Sequence, residues 1–330
     1  MKISSVVKLS EVKSEDAIDF LKRCMGPAAT RTVQYWHWKH SENPAGTSLG
    51  LAAYDGNGRL VALRPFMRYQ VALGGSVVQA VRAVDTAVAP ECRRQGIFSD
   101  LTAQSLSDLK ESGINLIFNT PNKRSAPGYN KLGWRLLGHP TVWVRICRPH
   151  SLLGRMLVAK SSAPNLALPN HWRRLSDVDN LHSFCRLAAL SEGCVRLQKD
   201  LAYVEWRYRR HPTADYRLVD YPDSGGAEAS AILRFDNRGR HNGVVICELN
   251  ARSSASLRSL VRSLVQESDC DYLVFSGSEI SSASLLAAGF IPYPWQNVVL
   301  AVRPLRADQE CSSLHNRRGW KFSLGDMEGL

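Results

Sequence analysis

VDTAVAPECRRQGIFSDL, residues 84–101, decides how the chain is read. β-forming residues run up to Val88. Pro90 then stops them, because it has no N–H to give a neighbouring strand. Arg93 and Arg94 bring positive charge, and Gly96 leaves room beside the backbone. From Ile97 the pattern changes to a helix: Phe98, Leu101, Leu106 and Leu109 share one face, while Asp100, Gln104, Asp108 and Glu111 lie elsewhere. Gly113 closes it, and INLIF (114–118) follows as a short buried strand. The first turn of a helix leaves N–H groups unpaired at the positive end of its dipole. A strand–Gly–helix junction of this kind holds phosphate well.

The surroundings give a mixed α/β pattern. SEDAIDFLKRCMG (14–26) reads as a helix with Ser14 as its N-cap. A second helix is expected around Trp38, ending near Pro44. LGLAAYDGNGRLVALRPFMRYQVAL (49–73) reads as strand, DGNG turn and strand. VVQAVRAVDTAVAP (77–90) is a β-rich run, and alternation along it puts Asp85 on the face opposite Val84 and Thr86.

The order then begins again. YWHWKHSENP from Tyr35 has an echo in YVEWRYRRHP from Tyr203. After the echo come YRLVDY, an SGG turn, ASAILRF, an NRGR turn and GVVICEL. The helix SLRSLVRSLVQES and the strand DYLVFSG follow. SASLLAAGF mirrors SAPGYNKLGW, with Ser281 and Gly289 standing where Ser125 and Gly133 stand. The expected organisation is one domain over 1–147, a linker over 148–170, a second domain over 171–305 and a tail over 306–330. The repeated aromatics are expected as packing anchors, with Lys or Arg stems lying along the Trp faces. The tail is polar until WKFSL (320–324), the stretch there able to add a strand.

Composition bounds the rest. The chain has 330 residues, 44% hydrophobic and 22% charged, which suits two globular cores. It lacks an apolar run near the ~20 residues of a membrane helix. Charge comes too early in MKISSVVKLSEVKSED for a secretion signal, so a cytoplasmic protein is expected. Eight scattered cysteines without a CxxC pair fit separate reduced thiols. His37 and His40 have no third ligand nearby in sequence, so zinc is not expected. A net charge of +12 attracts anions, but no nucleic-acid motif accompanies it. A phosphate-rich small molecule is the sharper expectation.

Two segments together carry a family resemblance. VAPECRRQGIF resembles the pyrophosphate loop Q/R-x-x-G-x-G/A of the GNAT acetyltransferase superfamily, with Arg93 first, Gly96 at the first glycine and Phe98 in place of the last small residue. PNKRSAPGYNKLGW resembles its N-x-x-S/A-x-x-x-Y-x-x-x-G-F/W motif through Asn122, Ser125, Tyr129, Gly133 and Trp134. The resemblance implies two tandem GNAT-like domains, each a mixed, mostly antiparallel sheet flanked by helices. It implies acetyl-CoA as acyl donor, its pyrophosphate held by Arg93, Arg94, Gln95, Gly96, Ile97 and Phe98. Thr86, Ala87 and Val88 would orient the acetyl carbonyl, Asn122 and Ser125 the cofactor arm. Tyr129 would be the acid that protonates the departing thiolate. Asp85 is a candidate base, or else pairs with an arginine such as Arg82.

The second copy reads ELNARSSASLRS at the loop position and has Leu285 opposite Tyr129, so a single cofactor site is expected. The activity implied is acyl transfer to a primary amine by direct attack. Resemblance to two-domain bacterial proteins of surface-polysaccharide synthesis suggests an amino-sugar acceptor. A non-catalytic CoA- or partner-binding protein and an aminoacyl-tRNA-dependent transferase remain the alternatives, the latter predicting a long basic groove.

Overall fold

The computed structural model describes residues 3–123, 125–149, 169, 172–178, 181–188, 195–222, 226–238, 241–293, 299–306 and 312–327. Apart from Arg148, Pro149 and Pro169, the expected linker lies outside them. β1 (Ile3–Lys8) leads to α1 (Ser14–Met25), which buries Ala17, Ile18, Phe20 and Leu21. That spacing places all four on one stripe. The N-cap of α1 is Lys13, not Ser14. Ser14 is already helical, and its hydroxyl meets His37 Nε2 at 3.2 Å. α2 (Val33–His40) is capped by the Thr32 side chain, which accepts from the Tyr35 N–H, and it ends before Pro44.

β2 (Leu49–Asp55), β3 (Leu60–Leu73) and β4 (Ser76–Ala83) form an antiparallel meander with β1. β5 (Ala87–Val88) returns to β3 after a break, and α3 (Ile97–Glu111) crosses over to β6 (Leu116–Asn119). β6 pairs parallel with β4, as a helical crossover requires. α4 (Ala126–Lys131), β7 (Arg135–Gly138) and β8 (Val142–Ile146) follow. The second half contributes β9 (Arg173–Arg174), α5 (His182–Ala188), β10 (Val195–Leu197), α6 (Leu201–Val204) and a π-turn over Glu205–Arg209. Then come β11 (Arg217–Tyr221), β12 (Ala229–Arg238), β13 (His241–Ala251), α7 (Ser254–Glu267), β14 (Tyr272–Ser276), α8 (Ser282–Ala287) and β15 (Ile291–Tyr293). β16 (Leu300–Pro304) and β17 (Trp320–Lys321) end the strands.

The sheet orders correspond. The first runs β1-β2-β3-β4-β6-β16-β7 and the second β9-β11-β12-β13-β14-β8-β15. In each, one strand comes from the other half of the chain. β16 lies between β6 and β7, and β8 lies between β14 and β15, all antiparallel. The two halves have therefore exchanged their last strands. Each incoming strand carries an arginine that covers a positive-φ glycine of its host. The Arg303 guanidinium lies over Gly133 and 5.2 Å from the Trp134 ring, and Arg145 lies over Gly289 and bonds the Ala288 carbonyl.

The repeated aromatic phrase meets itself at the junction. Trp38 and Trp206 stack at 4.9 Å between centroids, inside a core that both halves build. They act as packing anchors. The tail closes this junction: β17 pairs parallel with β10, which also pairs with β3. Six described cysteines are free. They are not all separate, since Cys147 on one half and Cys270 on the other stand 3.6 Å apart at sulfur. Among the described residues no helix is long and apolar enough to cross a membrane.

Candidate active site

The site follows from a fault in one strand. β4 and β6 run side by side from Ala80–Arg82 opposite Leu116–Phe118 and then part. Phe66 faces Ala83, but Leu63 faces Ala87, so β3 meets one extra residue between them. Asp85 sits in this bulge at φ 42. A bulge twists its strand and re-aims backbone groups. β4 has ended by Ala83, so strand alternation does not govern where Asp85 points. The parted strands open a cavity of about 520 Å³, lined by Arg82–Val88 on one side and Asn119–Asn122 on the other. Phe98, Ser125 and Tyr129 complete its wall. Thus Asp85, Thr86, Ala87, Val88, Phe98, Asn122, Ser125 and Tyr129 do converge.

Asp85 is the one carboxylate lining this cavity among the described residues. Its partners are Lys39, in a close ion pair, and His40 Nε2 at 3.1 Å. Arg82 turns elsewhere, to the Asp326 carbonyl at 2.7 Å and the Thr120 hydroxyl at 2.9 Å. Burial alone would raise the Asp85 pKa, but Lys39 and His40 outweigh it and hold the carboxyl well below its usual range. Burial pushes Lys39 and His40 down against the pull of Asp85. His40 Nδ1 also meets Ser48 Oγ at 2.9 Å. The repeated aromatic-basic phrase thus has a second use in the first half, where its Lys39 and His40 hold the acid at the cleft.

Tyr129 is buried on α4, edge-on to Phe98 at 5.7 Å and to Trp134 at 5.2 Å. Its oxygen accepts from Arg64 Nη1 at 3.2 Å. Arg64 is 1% exposed on β3. It also donates to the hydroxyls of Thr86 at 2.8 Å and Thr102 at 2.9 Å. Its Nη2 has no hydrogen-bond partner, and among the described residues no carboxylate pairs with it. A buried cation without a counter-charge is costly. Sequence reading missed Arg64. The available signal was a charge inside LVALRPF, on a central strand covered on both faces.

The loop between β5 and α3 is built as the spacing suggests. Arg93, Arg94, Gln95 and Gly96 are exposed, while Ile97 goes into the core. Arg94 and Gly96 adopt left-handed backbone, φ 62 and 83. Turns of this handedness curl successive N–H groups into anion-binding nests. Arg93 Nε braces the Val88 carbonyl at 3.2 Å, and Gln95 Nε2 the Glu91 carbonyl at 3.2 Å. Phe98 stands below the loop, where Arg64 covers its ring at 5.1 Å. Asn122 Oδ1 accepts from the Ser125 N–H at 3.1 Å and so caps the turn that starts α4.

The corresponding place in the second half is closed. Matching the parallel pairs β4–β6 and β13–β14 puts Glu248 where Asp85 stands, again beside a register break. The same match puts Ala231 opposite Arg64 and Leu249 opposite Thr86. The tail fills the gap beside Glu248. Ser323 bridges Gly277, and a side chain at Gly325 would run into Tyr208 and Glu248. Lys199 meets Glu248 at 2.6 Å, Glu279 at 3.1 Å and Asp326 at 3.3 Å. Burial pushes the Glu248 carboxyl up to about 7, against the pull of Lys199.

This geometry agrees with the comparisons. Residues 5–137 match the family model of the acetyltransferase (GNAT) domain. The first half is thus similar, over those residues, to a GNAT acetyltransferase domain. Among solved structures, a probable N-acyltransferase from Enterococcus faecalis is similar over 93% of this chain and 73% of its own, at 13% identity and TM-score 0.67. A GCN5-related N-acetyltransferase from Anabaena variabilis covers 92% and 73%, at 16% identity and TM-score 0.65. Another from Kribbella flavida covers 91% and 71%, at 16% and 0.60. These likenesses span both halves, so the two-sheet fold is shared. No curated protein matches the chain.

Proposed function

We propose that the chain is an acetyl-CoA-dependent N-acyltransferase with one cofactor site, in the first half. The observation that carries this is the parted β4–β6 cleft, whose wall holds a buried tyrosine and, at the start of α3, Phe98 just after the left-handed basic loop. The loop of Arg93, Arg94, Gln95, Gly96, Ile97 and Phe98 holds the pyrophosphate by backbone N–H groups and charge. Asn122 and Ser125 face the cofactor arm. The bulged segment Thr86, Ala87 and Val88 presents fixed donors to the acyl oxygen.

The steps balance as follows. The neutral amine attacks the thioester carbon and forms the C–N bond. The resulting ammonium is acidic, so Asp85 takes its proton although its own carboxyl stays ionised by preference. The C–S bond breaks, and the Tyr129 hydroxyl passes its proton to the sulfur. Arg64 stabilises the phenolate left behind until solvent reprotonates it. The second half, which places Ala231, Leu249 and Leu285 at the corresponding positions, is a degenerate copy that supports the first. The acceptor we assign is an amine-bearing small molecule of the amino-sugar class, and the compartment the cytoplasm, where free thiols persist.

The test is incubation with acetyl-CoA and a panel of amines that includes amino sugars and nucleotide-linked amino sugars. Free thiol and product mass are measured. Stoichiometric thiol release with an acetylated amine supports the reading. Tight CoA binding without thiol release across the panel overturns it in favour of a non-catalytic binding protein.

A further inference from the structure

A second cavity of about 520 Å³ lies where the α1–α2 loop and Tyr35 of the first half face Arg207, His211, Tyr216 and Arg234 of the second. Its inventory is one-sided. Arg207 is 7% exposed and gives Nη1 to the Tyr216 oxygen at 3.1 Å, so the Tyr216 proton is left for another acceptor. Among the described residues, buried Arg234 Nε has no hydrogen-bond partner. His211 Nδ1 accepts from the Thr213 and Ala214 N–H groups at 3.3 and 3.0 Å. Its proton therefore sits on Nε2, as a further donor. The lining carboxylate, Asp215, is taken by Arg217 at 3.0 Å.

The field inside is positive. Burial, with Arg207 and Arg234 beside it, holds His211 down to about 3. Among the described residues, two guanidinium groups stand at a recess that offers them no free carboxylate as counter-charge. The rings of Tyr35, Tyr216 and Phe235 add flat apolar wall. We propose that this cavity is a binding site for a small anion-bearing molecule of sugar size, a phosphate monoester or a carboxylate. It is separate from the cofactor loop. The two cavities share no lining residue and adjoin along α2, with Tyr35 at this one and Lys39, 5.8 Å from the Tyr35 ring, at the Asp85 cleft.

The experiment is calorimetric titration of the full chain with glucose 1-phosphate, glucuronate and glucose. Saturating coenzyme A is present, so that the loop is already filled. One saturable site for glucose 1-phosphate or for glucuronate, with none for glucose, is expected. The arm that saturates tells phosphate from carboxylate. Arg234→Gln should weaken binding roughly tenfold or more, and Arg234→Lys less, because charge-assisted donors dominate such sites. CoA affinity measured on both variants checks that the fold is intact. Absence of saturable binding by either anion, or equal affinity in Arg234→Gln, overturns the site.

Discussion

Trp38 and Trp206 exchange hydrogen bonds: each indole N–H donates to the other's backbone carbonyl, at 2.8 and 2.7 Å. The two residues stand 168 positions apart, and their rings lie within 17° of parallel. The pair is a local two-fold, and it fixes how the halves meet. Trp206→Phe deletes one donor and strands the Trp38 carbonyl in the core. The expected cost is about 2–4 kcal/mol, part lost hydrogen bond and part cavity. Urea unfolding followed by circular dichroism should show a lower midpoint with one shared transition. Two resolved transitions in the wild type would mean that the halves are energetically independent.

The exchanged strands make a stronger demand. A fragment of residues 1–147 keeps the loop, Tyr129 and Asp85, yet loses β16 from between β6 and β7, and its β8 loses β14. Buried strand edges without partners are not tolerated. The fragment should show no cooperative urea transition. Mixing with residues 148–330 should restore one. A fragment that melts cooperatively by itself would show that β8 can fold back into its own sheet.

Gly96 offers a sharper test of the loop. Its φ of 83 suits glycine, and a side chain there would come within 3.6 Å of Asp100 Oδ2. Gly96→Glu adds backbone strain and sets a second carboxylate where phosphate should sit. A loss of about 3 kcal/mol or more in CoA binding is expected, over a hundredfold. Wild-type affinity by calorimetry would move the pyrophosphate elsewhere.

The loop was legible because its chemistry is local: a proline stop, a glycine and a helix start stand within 101 − 84 = 17 positions of one another. The aromatic repeat was legible for the same reason. The exchange of β8 and β16 was not, since an alternating strand pattern names a partner type and never the sheet that receives it. Arg64 was missed because its partners, Thr86, Thr102 and Tyr129, lie 22, 38 and 65 positions away. Lys39 and His40 were seen as parts of a packing phrase. Only the bulge at Asp85, a feature of register, turns them into its counter-charges.

Arg64 and Tyr129 should fail together and be rescued together. In the proposed mechanism Tyr129→Phe removes the proton meant for the thiolate, and Arg64→Met removes the charge that steadies the phenolate. Each should lower kcat for acetyl-CoA by roughly 10²–10⁴-fold, the usual scale of acid catalysis, with KM little changed. Arg64→Lys should recover part of the rate. An acetyl thioester of an aromatic thiol needs no proton on its leaving group, so both variants should approach wild type with it. Equal losses on both thioesters would reduce Arg64 to a structural role.

His211 gives the fold an acid limb whose sign can be worked out. Burial first, then Arg207 and Arg234, lower its pKa to about 3. In the unfolded chain it titrates near the ordinary value of about 6.5. Between those values the unfolded state binds the extra proton, so stability rises with pH. The contribution is complete above about 6.5 and is lost as pH falls toward 3. His40, also lowered by burial, acts in the same direction. His211→Asn can still accept from the Thr213 and Ala214 N–H groups but cannot titrate. Its Tm should therefore fall less than that of wild type between pH 7 and pH 5. An unchanged fall in Tm would mean that His211 is charged in the folded protein, and that the field between the halves is not positive.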